Sequence, residues 1–347
     1  MKKNLVVIGY GGMGGWHTQK ALASDVVNLK GIYDIKEERR ELARSRGIFA
    51  YETYEDVLND PSVDLVTVAI PNDQHPAVVI RALEAGKNAI CEKPVAITSA
   101  ELQTMIDAAN RSGKLFTVHQ NRRWDVDFLA MKHLLTTGEI GDLIRVESRI
   151  HGSRGIPSDW RGKKAYGGGM LYDWGVHLID QILQLTDEKI AYVYCTLENI
   201  TNDEVDDGFR LEIVFESGKS ALVEVGTLNF IAMPRFYLKC RQGTALIPDW
   251  RENTTIVKCK YWHESDVLPV ETAAGLTKTM APRDDVTTDT YEFERPKSDV
   301  HDFYRNVCRA IDGKETQLVT HAQVMRVLRL IEAAFKSAEL GQRVSFE

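Results

Sequence analysis

Apolar and polar positions along the first third of this chain alternate between two rhythms. Leu5-Val6-Val7-Ile8 is an unbroken apolar run, the pattern of a strand buried on both faces. A helix-compatible segment follows and ends near residue 23, and a second apolar stretch over 26–33 predicts the next strand. The pattern then predicts a helix over 36–46, a short strand near 49–51, a buried strand over 64–69 and a helix over 73–85 closed by Gly86. A strand at 88–91, a helix over 99–112 that stops at Gly113, and a strand at 115–119 complete the series. Such alternation, punctuated by Gly and Asn, predicts a parallel, doubly wound sheet.

The rhythm changes near residue 122. A helix over 128–136 leads through Gly138 and Gly141 into a long strand over 143–151. After a helix around 171–185, alternating runs recur at 191–199, 208–215, 219–226, 236–241 and 254–260. Turns such as Glu216-Ser217-Gly218-Lys219 separate them, and together they predict an open, largely antiparallel sheet. Residues 265–297 are polar and contain proline, and read as a long loop before two helices near 298–312 and 322–340. The expected fold is α/β, with one domain over 1–121 and a second over 122–347.

Chemistry enters at the end of the first strand. Gly9-Tyr10-Gly11-Gly12-Met13-Gly14 is a G-x-G-x-x-G, and Asp34, at the end of the second apolar stretch, lies 20 positions beyond its last glycine. This is the spacing at which a carboxylate meets a ribose hydroxyl in a Rossmann dinucleotide site. Gly9 permits the turn, Gly11 lets a pyrophosphate approach the backbone and helix dipole, and Gly14 lets helix and strand pack closely. Asp34 would repel a 2′-phosphate, so NAD is expected rather than NADP. Lys36, Arg39 and Arg40 oppose this as a phosphate-binding cluster, unless they form a solvated face paired with Glu37, Glu38 and Glu41.

Composition narrows the partners. The 347 residues are enough for two domains, and 44% hydrophobic with 27% charged residues describes a soluble globular protein. A net charge of −7 argues against nucleic acid or an anionic membrane as the main partner. No apolar run approaches the roughly 18 residues of a membrane helix. The first strand starts directly after Met1-Lys2-Lys3, so no signal peptide is expected. Cys91, Cys195, Cys240, Cys259 and Cys308 are scattered without C-x-x-C spacing and read as reduced thiols of a cytoplasmic protein.

Two further motifs carry candidate chemistry. Cys91-Glu92-Lys93-Pro94 follows a predicted parallel strand, at the edge where open α/β sheets hold ligands. Proline restricts the lysine backbone, and a buried lysine beside a cofactor suits proton transfer, although a charged turn would look the same. Pro71-Asn72-Asp73-Gln74-His75 follows another strand at that edge. In Gly167-Gly168-Gly169-Met170-Leu171-Tyr172-Asp173-Trp174-Gly175-Val176-His177, Asp173 and His177 are four apart and would share a helical face, with Asp180 a turn further. A carboxylate beside an imidazole suits a general acid/base. A satisfied buried histidine fits as well, and no further ligand at convincing spacing supports a metal site.

In this order, the motifs resemble the Gfo/Idh/MocA oxidoreductases, a family that includes glucose-fructose oxidoreductases and inositol dehydrogenases. The resemblance runs the length of the chain. It implies an N-terminal Rossmann domain and a C-terminal domain whose large sheet serves as a subunit interface, hence a homodimer or homotetramer. By resemblance Lys93, Asp173 and His177 are catalytic. Gly9, Gly11, Gly12, Met13 and Asp34 would hold the adenosine half of the cofactor, and Ile70, Pro71, Asn72 and His75 would line its path. Glu92, Lys93 and Asn121 would approach the nicotinamide end, joined by Trp160 and Arg161.

The activity so implied is hydride transfer between NAD and a secondary hydroxyl of a sugar or cyclic polyol. His177, oriented by Asp173, would take the hydroxyl proton while Lys93 binds the same oxygen. Substrate contacts are expected from Arg154 and Tyr172 besides the catalytic three, with Ser153, Trp160 and Arg161 as further candidates. Trp124 or Trp160 would offer an apolar face to the ring. Two rivals remain: a glycoside-cleaving enzyme with recycled NAD, which would need another acid/base pair from Tyr172, Asp159 or Asp180, and a dinucleotide-sensing regulator without turnover.

Overall fold

Five parallel strands form the first sheet: β1 (Lys3–Ile8), β2 (Val27–Tyr33), β3 (Leu65–Val68), β4 (Asn88–Cys91) and β5 (Phe116–Val118). The structure is a computed structural model, and it describes residues 1–261 and 268–346. The strand order is β2-β1-β3-β4-β5. The connections diverge between β1 and β3, so a crevice opens at the carboxyl ends of the strands. The strands pack among α1 (Gly12–Leu22), α2 (Glu37–Ser45), α3 (Tyr54–Asn59), α4 (His75–Glu84) and α5 (Ser99–Ser112). Leu5, Val6 and Val7 are fully buried, which explains the unbroken apolar run. Thr98 and Glu101 form a capping box at the start of α5, and Gly113 ends it with φ +63°.

The second half builds a nine-stranded sheet from β6 (Leu143–His151), β7 (Ile190–Glu198), β8 (Gly208–Phe215), β9 (Ser220–Gly226), β10 (Phe236–Cys240), β11 (Gly243–Ile247) and β12 (Thr254–Cys259) with two later strands. A small hairpin, β13 (Val270–Thr272) with β14 (Gly275–Thr277), lies apart; β15 (Thr288–Phe293) and β16 (Val344–Ser345) close the two edges. The order is β15-β12-β11-β10-β6-β9-β8-β7-β16, antiparallel throughout except for the β6–β9 pair. Alternation sets its two faces. Phe209, Leu211, Ile213 and Phe215 point into a core shared with α6 (Val126–Thr137), α7 (Val176–Leu183) and the C-terminal helix His321–Leu340. Arg210, Glu212 and Val214 point to the other face.

The α/β class and both sheets follow the sequence pattern. The 265–297 segment does not: within it the hairpin and β15 form, while residues 265–267 lie outside the described residues. β15 reads Thr-Asp-Thr-Tyr-Glu-Phe, an edge strand with little apolar surface to signal it. The expected strand near 49–51 is a single bridge between Ile32 and Ala50. α8 (Asp302–Ile311) returns to the parallel sheet, where Phe303, Tyr304 and Val307 join its core, ahead of α9 (His321–Leu340).

Candidate active site

The glycine turn shows what each glycine is for. Gly9 has φ +90°, and a Cβ there would stand 2.3 Å from the Ala69 carbonyl oxygen. A Cβ on Gly14 would stand 1.8 Å from the Gly9 carbonyl oxygen. These two glycines serve the packing of helix on strand. A Cβ on Gly11 or Gly12 would meet nothing within 4 Å, so the protein itself does not require them to be bare. Gly11 caps α1 with no side-chain bond to the first-turn N–H groups, and Met13 is exposed beside them. A bare cradle with free helix N–H groups fits a pyrophosphate. Asp34 is oriented for its part: Oδ2 accepts the Tyr10 N–H at 2.7 Å and Oδ1 the Lys36 N–H at 2.9 Å. Arg40 is already engaged with the Asp34 carbonyl oxygen at 2.7 Å and with Glu37.

At the other end of the crevice, Lys93 and Asp173 meet. Lys93 follows β4, its peptide bond to Pro94 is cis, and its ammonium lies 2.9 Å from Asp173 Oδ1 and 2.9 Å from the Asp173 carbonyl oxygen. Asp173 Oδ2 accepts from Arg161 Nε at 3.1 Å, and Arg161 is held in turn by Asp159 at 2.8 Å. Burial works to raise the Asp173 carboxyl, but Lys93 and Arg161 outweigh it and keep it below its ordinary range. An ammonium has three N–H donors. Two are spent on Asp173, and one remains for a ligand.

His177 corrects the expected pair. Leu171–Gly175 is a π-helical turn, and α7 begins only at Val176. The Asp206 carboxylate holds this turn by accepting the Leu171 N–H at 2.7 Å. Four-residue spacing on a regular helix therefore does not apply, and both Asp173 oxygens are bound by Lys93 and Arg161 rather than by the imidazole. His177 Nδ1 is buried without a hydrogen-bond partner among the described residues. Burial, and then the Lys93 and Arg122 charges, hold the ring well below the ordinary histidine range. The result is a neutral imidazole beside a cationic Lys93.

Several other expected site residues also make structural contacts. His75 is fully buried, with its ring nitrogens 3.0 Å from the Pro94 and Ile70 carbonyl oxygens, so it ties the two strand-end loops together. Asn72 is buried and donates to the Tyr166 and Gly167 carbonyls at 3.1 and 3.3 Å, reaching the second half of the chain. Glu92 is 5% exposed and turned toward His17 and His119. The Tyr172 hydroxyl donates to the Ile97 carbonyl at 2.7 Å and its ring packs on Phe335, so its proton is already committed. Asp180 forms a buried two-bond pair with Arg123 at 2.7 and 2.6 Å. Arg154 is exposed on the loop after β6, and among the described residues no hydrogen bond or ion pair joins it to the site. Pro71 and Ile70 flank the crevice half-buried or exposed; Asn121 opens a short 3-10 turn after β5; Trp160 lies under the Arg161 guanidinium at 4.5 Å.

Sequence reasoning missed Arg122, Trp174 and Trp250. The Arg122 guanidinium lies 4.3 Å over Trp174 and 5.9 Å over Trp250, and the Trp174 ring is 6.1 Å from that of His177. Trp174 stands inside the motif that was read; Trp250 is brought in from the β11–β12 connection, for which the sequence holds no local signal. Gln120 is also buried with both side-chain amide atoms unpartnered.

Comparison with known proteins bears out the fold. Residues 3–120 match the model of the Gfo/Idh/MocA oxidoreductase family described as an NAD-binding Rossmann fold, and residues 128–246 match its C-terminal domain. A solved structure of an NAD-binding protein from Listeria innocua is 46% identical, with each chain covered over 99% and a TM-score of 0.96. A Bacillus subtilis protein named scyllo-inositol 2-dehydrogenase (NADP(+)) is 28% identical over 84% of this chain and 82% of its own. An inositol 2-dehydrogenase of Salmonella paratyphi B is 29% identical over 63% of this chain and 66% of its own.

Proposed function

This chain belongs to the Gfo/Idh/MocA oxidoreductase family, and we propose that it transfers a hydride between NAD and a secondary hydroxyl or carbonyl of a cyclic polyol or sugar. The observation that carries the reading is the meeting of Lys93, from the carboxyl edge of the parallel sheet, with Asp173 on the π turn that leads to His177. The names of the inositol dehydrogenase relatives support the substrate class. When bound, NAD supplies the hydride acceptor; Gly11, Gly12 and Met13 would hold its pyrophosphate and Asp34 its adenosine ribose.

The side chains divide the remaining work. Asp173 anchors the Lys93 ammonium, and Arg161 anchors Asp173. The third Lys93 N–H donates to the substrate oxygen and stabilises charge that develops there. His177, kept neutral, accepts the hydroxyl proton during oxidation and returns it during reduction. Arg122 stacked on Trp174 gives this side of the site a flat face against which a ring can lie.

Asp34 supports NAD over NADP, although the Bacillus relative is named for NADP(+). Net oxidation or reduction is favoured over glycoside cleavage because the extra acid/base candidates are engaged: Tyr172 with Ile97, Asp180 with Arg123 and Asp159 with Arg161. An assembled Lys93, Asp173 and His177 set favours turnover over sensing. A panel of inositols, aldoses and other polyols with NAD and NADP, followed by absorbance of the reduced cofactor, tests the reading. No reduced cofactor with any cyclic polyol or sugar would reject it.

A further inference from the structure

Beside the proton-transfer set lies a buried cluster of titratable groups that it does not use. His17 Nε2 and His119 Nδ1 lie 2.7 and 2.8 Å from one carboxylate oxygen, Oε1 of Glu92. The other oxygen, Oε2, accepts the main-chain N–H of Lys93 at 3.1 Å. Behind His17, Nδ1 is 2.6 Å from the Tyr304 hydroxyl, which is 3.4 Å from Thr67 Oγ1. The members come from α1, the ends of β4 and β5, and α8, and His17 is fully buried.

Counting donors assigns the protons. A carboxylate only accepts, so both ring nitrogens facing Glu92 donate. Burial holds the His17 ring below the ordinary histidine range, so its Nδ1 accepts from Tyr304, whose oxygen accepts from Thr67. His119 Nε2 alone is left without a partner, among the rings of Trp16 and Phe303. Burial works to raise the Glu92 carboxyl, yet the charge and hydrogen bonds of His119 and His17 hold it well below the ordinary range, so Glu92 is a buried carboxylate. Three ligand-type atoms also converge here as they would on a divalent cation. Direct hydrogen-bond lengths from both rings to one shared oxygen are instead those of a proton-filled network.

We propose that His17, His119 and Tyr304 are positioning residues for Lys93, acting through Glu92. Lys93 is gripped at both ends: its main chain by Glu92 and its ammonium by Asp173. His17 lies three residues beyond Gly14, on the helix that begins at the glycine cradle. The network is therefore a strut between the cofactor-bearing helix and the backbone of the reacting lysine. Removing either ring donor leaves a buried carboxylate under-bonded and free to shift the segment it holds. The proposal rests on Lys93 acting as described under Proposed function.

Side-chain geometry supplies the test. Asparagine can place its amide nitrogen where His119 Nδ1 stands, and glutamine where His17 Nε2 stands, so His119→Asn and His17→Gln keep the donor to Glu92. His119→Leu and His17→Leu remove it. The leucine variants should lose about ten- to a hundredfold in kcat, the scale of a misplaced reacting group. Their dissociation constants for NADH should stay within about threefold of the parent, and the amide variants should recover most of kcat. Tyr304→Phe, which removes only a hydroxyl, should fold and show a smaller loss of the same kind. Unchanged kcat in the leucine and phenylalanine variants would overturn the proposal, as would amide variants no better than leucine. Stoichiometric zinc in the purified protein would overturn it in favour of a metal site. Full turnover in Lys93→Met would remove the reading of Lys93 itself, and this proposal with it.

Discussion

Lys93 Nζ lies 2.9 Å from both the carboxylate and the carbonyl oxygen of Asp173, a residue 80 positions away in the chain. This contact joins the edge of the parallel sheet to a π-helical turn, and it assigns the acid a different task from orienting an imidazole. The carboxylate holds an ammonium, and the imidazole works alone.

Loss of either reacting side chain should therefore act on turnover rather than on cofactor affinity. Lys93→Met and His177→Ala are each expected to lower kcat by about a hundredfold or more. NADH affinity, read by fluorescence titration, should survive His177→Ala. Near-normal kcat in both variants would remove the assignment.

The neutral state of His177 has a signature in pH. Because burial and the Lys93 charge hold its pKa well below 6.5, the base form persists as the medium is acidified through the ordinary histidine range. The rate of alcohol oxidation should stay level there and fall only at lower pH. An acid limb centred in the ordinary histidine range would contradict a buried, neutral base.

The glycines separate into two classes that two alanine variants can tell apart. Gly14→Ala drives a Cβ into the Gly9 carbonyl and should lower the melting temperature markedly. Gly11→Ala meets no protein atom within 4 Å at φ −82°, so its melting temperature should stay near that of the parent. NADH affinity should nevertheless drop severalfold in Gly11→Ala. Equal affinity would mean the pyrophosphate lies elsewhere. Parallel titrations with NADPH test Asp34, and equal or tighter NADPH binding would show that Lys36, Arg39 or Arg40 overrides the acid.

Asp206, which holds the π turn through Leu171, predicts a pH-dependent stability. Burial raises its carboxyl to about 7, above the unfolded value of about 4, so the fold favours the protonated form. Its contribution is complete below the unfolded value and is lost as pH rises toward 7. Asp206→Asn keeps an acceptor for Leu171 and should melt higher than the parent at about pH 8, with a flatter profile between about pH 5 and 8. A parallel profile in both proteins would refute this.

The uncovered face of the nine-stranded sheet carries Tyr192, Tyr194 and Tyr237 among paired charges such as Arg149–Glu147 and Arg149–Glu224. We propose that a second copy of the chain covers it, as mixed aromatic and charged surfaces suit self-association. Light scattering at micromolar concentration should report a dimer or tetramer, and a monomer would contradict the proposal.

Local pattern was enough for the parallel sheet, the glycine turn, Asp34 and the Lys93 motif. Each is written within a few dozen residues, because a doubly buried strand must be apolar throughout and a tight turn must be glycine. The same reading failed for Asp173 and His177, since a regular helix was assumed where Asp206, 33 residues beyond Asp173, draws the chain into a π turn. It did not show that the Tyr172 hydroxyl bonds a carbonyl 75 residues earlier, and it missed Trp250 and β15, which only packing brings into place. The His17–Glu92–His119 cluster lay equally hidden. Glu92 belongs to the Lys93 motif, but nothing local marks His17 or His119, and only the convergence of β4, β5 and α1 at one end of the sheet brings both rings to its one oxygen. Sequence determines what a segment can become. Where a buried polar atom must find its partner, distant parts of the chain decide, because water is no longer there to serve instead.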